Sequence, residues 1–268
     1  MRRAVFVLGH RGMLGSTVRR YLDQQGFEVL TTDLRYSGGP ADELLAELAH
    51  SRAEAVVNCI GITTARLVEA PSVMVVNALL PLHLAAVMGD RLVVHASTDC
   101  VFRGDRGWYQ AGDPPDATDA YGLSKRLGEA CLAQPNVVVL RTSIVGPEAE
   151  SARGLLAWFL RQSGSVDGWV DHRWNGITTL AWAEVCRAAI DRDSRVPPGL
   201  HQPTTAEALS KHELLELFAE IFDHSVDIRP VTTSVPVDRT LAPTIEMPPI
   251  RSQLVELRVW TEAPRGKV

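Results

Sequence analysis

The sequence predicts an α/β fold built on a doubly wound parallel sheet, with a smaller C-terminal lobe. Three observations carry this: apolar runs without alternation, helical segments between them, and a glycine-rich turn joining the first run to the first helix. Residues 4–9, AVFVLG, form a short apolar run closed by glycine, and MLGSTVRRYLDQQG (13–26) continues with helical periodicity to Gly26. FEVLTTD then reads as strand, ADELLAELAHS as helix and AEAVVNCIG as strand. PSVMVVNALLPLHLAAVMG follows as helix, RLVVHAS as strand, TDAYGLSKRLGEA (118–130) as helix and NVVVLRTS as strand. Strands apolar throughout are covered on both faces, and right-handed crossovers place helices on either side. After RTSIVGP the pattern loosens. GLLAWFLRQS and TTLAWAEVCRAAI read as helices, GSVDGWVDHRWNG between them as a loop, PPGLHQP as a short strand, and SKHELLELFAEIF as a helix opened by a serine cap. From Asp227 onward proline is dense and periodicity weak.

Composition narrows the classes. The chain has 268 residues, 46% hydrophobic and 22% charged, which fits one domain with an appended lobe. No apolar run of about 18 residues exists to cross a bilayer, and the run in MRRAVFVLGH is too short for a signal peptide, so a cytoplasmic protein away from membranes is expected. A net charge of −5 argues against a nucleic-acid partner. Four cysteines without a CxxC pair and eight histidines without ligand spacing give no reason to expect a metal. Of the 27 basic residues only Lys125, Lys211 and Lys267 are lysines, so a lysine inside a candidate site points to a need for lysine there.

The turn GHRGMLG sets glycines at 9, 12 and 15 between strand and helix. Gly9 permits the tight turn, Gly12 lets backbone approach a pyrophosphate, and Gly15 lets helix pack on sheet, while the helix N-terminus attracts the anion. Asp33 ends the second strand about 20 residues on, where an adenosine ribose would be held. Residues 1–147 and about 177–200 are thus expected to form a dinucleotide-binding Rossmann domain. Residues 148–176 and 201–268 are expected to form a substrate-binding lobe over the carboxyl ends of the strands. Asp33 favours NAD(H), whereas Arg11 and Arg35 suit the 2′-phosphate of NADP(H); the reading leans to NADP(H). Met13, Leu14, Leu34, Cys59, Ile60, Gly61, Ser97 and Ser143 complete the candidate cofactor set.

Tyr121 and Lys125 stand four residues apart, hence on one helical face. A free tyrosine has a pKa of about 10, and a nearby ammonium favours its ionised form, so the pair forms a tunable acid. The spacing alone also fits an exposed helix pair. HASTDCVF brings Ser97 and Thr98 to the carboxyl end of the fourth strand, the edge that carries the glycine turn, where a hydroxyl can bind both a substrate carbonyl and the tyrosine.

With GHRGMLG, VVNCIG, VNALLPLHLA, STDCVF, DAYGLSKRLGE, LRTSIVG, WNGITTL and SKHELLELF in this order, the sequence resembles the extended short-chain dehydrogenase/reductase superfamily. Within it, the chain is similar to the dTDP-4-dehydrorhamnose reductase group of nucleotide-sugar reductases. The resemblance implies Thr98, Tyr121 and Lys125 as catalytic residues, with Lys125 also holding the nicotinamide ribose. It implies reduction of the 4-keto group of a nucleoside-diphosphate 6-deoxyhexulose, and often a homodimer. Related dehydratases carry Thr-Asp-Glu where this chain has Thr98, Asp99 and Cys100, which argues against dehydration. Cys100 falls where GDP-fucose synthase has a cysteine base, but SARGLLAWFL lacks that enzyme's histidine; epimerisation stays an alternative, as does a non-catalytic regulatory subunit. Asp99, Val101, Phe102, Trp174, Asn175 and Arg239 are the candidate substrate contacts, with Arg173 beside them. Arginines suit a diphosphate, and an indole can stack on a base. Trp158 and Trp182 are expected in the core.

Overall fold

A computed structural model describes residues 2–39, 42–63, 73–148 and 154–263. The predicted helix starts at Ala41 and Pro71, positions 149–153 just past the expected lobe boundary, and the last five positions lie outside the described residues.

The apolar runs become strands β1 (Ala4–Leu8), β2 (Glu28–Leu30), β3 (Ala55–Asn58), β4 (Leu92–Ser97) and β5 (Val137–Arg141). Between them lie α1 (Met13–Gln24), α2 (Glu43–His50), a π-helical turn at Val75–Leu79 running into α3 (Leu80–Val87), and α4 (Ala120–Gly128). The second half adds β6 (Ile144–Val145), α5 (Leu155–Phe159), β7 (Ser165–Trp169), β8 (His172–Trp174), β9 (Ile177–Thr178), α6 (Thr179–Ile190) and β10 (Gly199–His201). Six strands pair in the order β10-β5-β4-β3-β1-β2, every pair parallel.

Alternate side chains feed two cores. Val5, Val7, Val57, Val94 and Val138 meet α1 and α6, including the fully buried Trp182. Phe6, Leu8, Val56, Val93 and Val139 meet α2 and α3 on the other face. Because β1 connects to β2 on one side and the chain then crosses to β3 on the other, the loops after β1 and β3 lead to helices on opposite faces of the sheet, a switch point where a ligand crevice opens in this type of sheet.

Three expectations about the second half need correction. The GSVDGWVDHRWNG loop contains β7 and β8, and α5 is only five residues long. Trp158, predicted to be core, is 37% exposed. Beyond these corrections, β11 (Pro203–Thr205), β12 (Leu209–Ser210) and α7 (Lys211–Ile221) are followed, in the proline-dense stretch from Asp227, by β13 (Asp227–Val231), β14 (Val237–Asp238), β15 (Ile245–Met247) and α8 (Ile250–Glu262). Pro249 stands just outside α8 as its N-cap, so it opens the helix rather than breaking it. Ile250, Leu254 and Leu257 then bury one face in a third core with Phe159, Leu214 and Phe218. The serine cap of α7 is present as a capping box between Ser210 and Glu213. Among the described residues no helix is long and apolar enough to cross a membrane.

Candidate active site

The glycine turn is fixed by close approach. Gly9 has φ 72°, and a Cβ there would lie 3.0 Å from the Cys59 carbonyl, so the loops after β1 and β3 touch. A Cβ on Gly15 would lie 2.2 Å from the Gly9 carbonyl oxygen, whereas Gly12 is exposed with only that oxygen nearby. The N-terminus of α1 has neither a side-chain cap nor an acidic residue in its first turn, leaving N–H groups that suit a phosphate. Replacing Gly15 by alanine is therefore expected to cost about 1–3 kcal/mol of stability and to weaken dinucleotide binding. Thermal melts and a cofactor titration check this, and wild-type values in both would mean that the turn yields to a methyl group.

Asp33, Leu34 and Arg35 are exposed beyond β2. Arg11 Nη2 lies 2.7 Å from Asp33 Oδ1, and both side chains remain mostly in solvent, 63% and 70% exposed, so the pair adds little stability and is free to rearrange around a ligand. Met13, Cys59, Ile60 and Gly61 are partly exposed along the same edge. Three candidate cofactor contacts are turned elsewhere. Leu14 is buried in the core, the Ser97 hydroxyl donates to Glu129 Oε1 at 2.6 Å, and Ser143 Oγ accepts the Trp174 indole N–H at 2.8 Å.

Thr98, directly after β4, caps the short turn Asp99–Val101 by accepting the Cys100 N–H at 3.2 Å, and its hydroxyl donates to Asp99 Oδ1 at 3.0 Å. Asp119 caps α4 through the Gly122 N–H. A Cβ on Gly122 would lie 2.2 Å from the Cys100 carbonyl oxygen, so glycine lets α4 lie against the turn that carries Thr98. That contact brings Tyr121 to Thr98. Burial raises the Tyr121 pKa well above its ordinary value, Cys100 and Asp99 add to the rise, and a hydrogen bond with the Thr98 hydroxyl opposes it. The tyrosine thus holds its proton firmly. Lys125 is buried and donates to the Ala96 carbonyl at 2.6 Å; burial pushes its pKa down to about 8 against the attraction of Glu129. Burial also pushes the Cys100 thiol up to about 12, which keeps it protonated.

Several predicted substrate contacts do not reach the cleft. Val101 and Phe102 are fully buried, and Phe102 stacks on Tyr109 with ring centroids 4.1 Å apart. Asn175 has its amide saturated by the Thr205 and Leu241 carbonyls and the Leu241 N–H. Trp174 is buried, which removes it as a stacking platform, and Arg173 is held by the Ala208 carbonyl. Asp99 and Arg239 stay partly exposed, with Arg239 Nε donating to the Phe102 carbonyl at 2.9 Å.

Residues 1–263 match the profile of the RmlD substrate binding domain family, nearly the whole chain. The protein belongs to this family. A probable low-salt glycan biosynthesis reductase of Haloferax volcanii is 34% identical over 160 residues, 52% of this chain and 53% of that one, so the match spans about half of that relative's length. Methionine adenosyltransferase 2 subunit beta of Danio rerio is 25% identical over 242 residues, 82% of this chain and 74% of that protein. The structure of a dTDP-4-dehydrorhamnose reductase from Bacillus anthracis in complex with NADP superimposes with a TM-score of 0.82, covering 97% of this chain and 100% of that one; at 18% identity this likeness concerns the fold.

Sequence reasoning missed one cation in the cleft of this RmlD-family chain. Lys211, the first residue of α7, has its ammonium 5.3 Å from the Trp174 ring centroid and interacts with Asp99, Cys100 and Arg239. Burial lowers its pKa to about 8 despite the attraction of Asp99. The scarcity of lysine was the signal that pointed to it.

Proposed function

We propose that this RmlD-family protein is a cytoplasmic NAD(P)H-dependent reductase of the 4-keto group of a nucleoside-diphosphate 6-deoxyhexulose. The observation that carries the reading is a proton-holding Tyr121 beside Thr98, on the same helix as a buried Lys125, at the strand ends that face the glycine turn. The open N-terminus of α1 and the close-packed glycines fit a dinucleotide. Gly9, Arg11, Gly12 and Met13 would hold its pyrophosphate, Asp33, Leu34 and Arg35 its adenosine end, and Tyr121 and Lys125 its nicotinamide ribose. When bound, that group supplies the hydride. Tyr121 keeps its phenolic proton until an alkoxide develops at the sugar oxygen, then donates it from Oη. Thr98 orients that oxygen, and Lys125 stabilises the tyrosine as it loses the proton.

Arg11, lying against Asp33, masks the carboxylate that repels a 2′-phosphate, which supports NADP(H). Arg11→Ala is expected to lower the NADPH-to-NADH ratio of kcat/KM by about tenfold; an unchanged ratio would remove Arg11 from cofactor choice. The substrate lobe, residues 148–176 and 201–268 by the sequence reading, contributes Lys211 and Arg239 to the nucleotide sugar. Lys211 and Arg239 lie close together with the carboxylate of Asp99 near them, so the group keeps an excess positive charge that suits a diphosphate. Lys211→Met should raise KM for the keto sugar about tenfold or more and change kcat less; an equal loss in kcat alone would place Lys211 outside substrate binding.

The test is oxidation of NADPH and NADH in the presence of dTDP-, UDP-, GDP- and CDP-linked 4-keto-6-deoxyhexoses. The likeness to a methionine adenosyltransferase subunit over most of the chain favours a second reading, a regulatory subunit. Cofactor binding with no turnover on any sugar would select it.

A further inference from the structure

Asn58, His95 and Lys125 form a chain of side chains that are 0%, 1% and 4% exposed, and its hydrogen bonds can be oriented donor by donor. The backbone N–H of Ile60 can only donate, and it reaches Asn58 Oδ1 at 3.1 Å. That fixes the amide, leaving Nδ2 to donate to His95 Nδ1, 3.1 Å away. Nδ1 therefore presents its lone pair. A neutral imidazole carries one N–H, so the proton lies on Nε2, which faces Lys125 Nζ at 3.5 Å. An ammonium at that point sets donor against donor. A free amine accepts the Nε2–H and still donates to the Ala96 carbonyl.

We propose that Asn58 and His95 are positioning residues that poise Lys125 to release its proton: Asn58 fixes the histidine tautomer, and His95 directs an N–H at the lysine nitrogen. The inference rests on the reading of Lys125 as part of a reductase site. The surroundings agree with it. Burial and the lysine's charge hold His95 far below its ordinary pKa, hence neutral. Besides His95 on β4, Lys125 faces Cys59 just beyond β3, and Glu129 and Cys131 in the turn that follows α4; these three favour its charged form. Glu129 is held by Arg141 and Ser97. Tyr121 lies one turn earlier on α4. Lys125 thus changes charge near pH 8, as an ammonium below and an amine above. The cation that helps Tyr121 part with its proton is lost as pH rises through that value, so acid-assisted reduction weakens on the alkaline side.

The test is NMR of protein labelled with nitrogen-15 in histidine and lysine, in which only three lysines contribute signals. Wild-type His95 is expected as the neutral Nε2–H tautomer, and Lys125 is expected to titrate near pH 8. His95→Phe removes the N–H without adding charge, and Asn58→Asp turns the tautomer by accepting from Nδ1. Each should raise the Lys125 titration, and the alkaline limb of turnover with it, by about one pH unit. An Nδ1–H tautomer in the wild type, or an unmoved lysine titration in His95→Phe even with slower turnover, would overturn the proposal. Absence of turnover with these titrations as expected would instead count against the reductase reading alone, because the resonances report without catalysis.

Discussion

Tyr121→Phe should lower turnover on a keto sugar by about 10²- to 10⁴-fold, the usual contribution of a positioned acid, while cofactor affinity changes little. Phenylalanine keeps the ring and removes one hydroxyl, which burial keeps protonated and Thr98 accompanies. The loss should fall on kcat, because the proton is needed where charge develops rather than where substrate docks. Steady-state kinetics with cofactor and sugar varied separately check this. A variant within a few-fold of wild type would show that another group, such as the protonated Cys100 thiol that interacts with Tyr121, supplies the proton.

Arg141→Met should lower stability by about 3–5 kcal/mol, the largest single-residue effect expected in this chain. Arg141 and Glu129 are 2% and 7% exposed and form a two-pronged pair at 2.9 and 2.7 Å, and Arg141 Nη1 also donates to Gln202 Oε1 at 3.1 Å. Methionine fills part of the volume but leaves a buried carboxylate with Ser97 as its remaining hydrogen-bond donor. For a chain of this size the melting temperature should fall by roughly 10 °C or more. Adding Glu129→Gln should recover much of the loss, since the cost lies in the stranded charge. A double variant no more stable than Arg141→Met would instead assign the loss to packing against Phe102, whose ring centroid lies 5.1 Å from the guanidinium carbon.

The residues that could be read from sequence act through short spacings. Gly9, Gly12 and Gly15 lie within one turn and its helix, and Tyr121 and Lys125 within one helical turn. Thr98 follows the last residue of a strand whose end the apolar run already marks. The fold class was legible for the same reason, since β1 is apolar throughout and β3, β4 and β5 depart from that only at Asn58, at His95 and Ser97, and at Arg141. Helix α8 was not picked out because proline is dense and periodicity weak from Asp227 onward, although Ile250, Leu254 and Leu257 keep helical spacing beyond Pro248 and Pro249.

Substrate contacts were read less well because burial is decided by distant partners. Asn175 is spent on Thr205 and Leu241, and Trp174 on Ser143; no local pattern at any of these three partners announces the pairing. Lys211 enters the cleft only because β12 pairs with β8 and so sets the start of α7 beside Trp174 and Arg239. The sequence by itself determined the parallel sheet and the glycine turn, because each rests on periodicity or spacing along short segments, while Thr98, Tyr121 and Lys125 were joined into one set by the order of motifs shared with a known family. The tertiary structure alone decided which polar side chains face the cleft and which are consumed inside, because that depends on hydrogen-bond partners that only folding brings within about 3 Å.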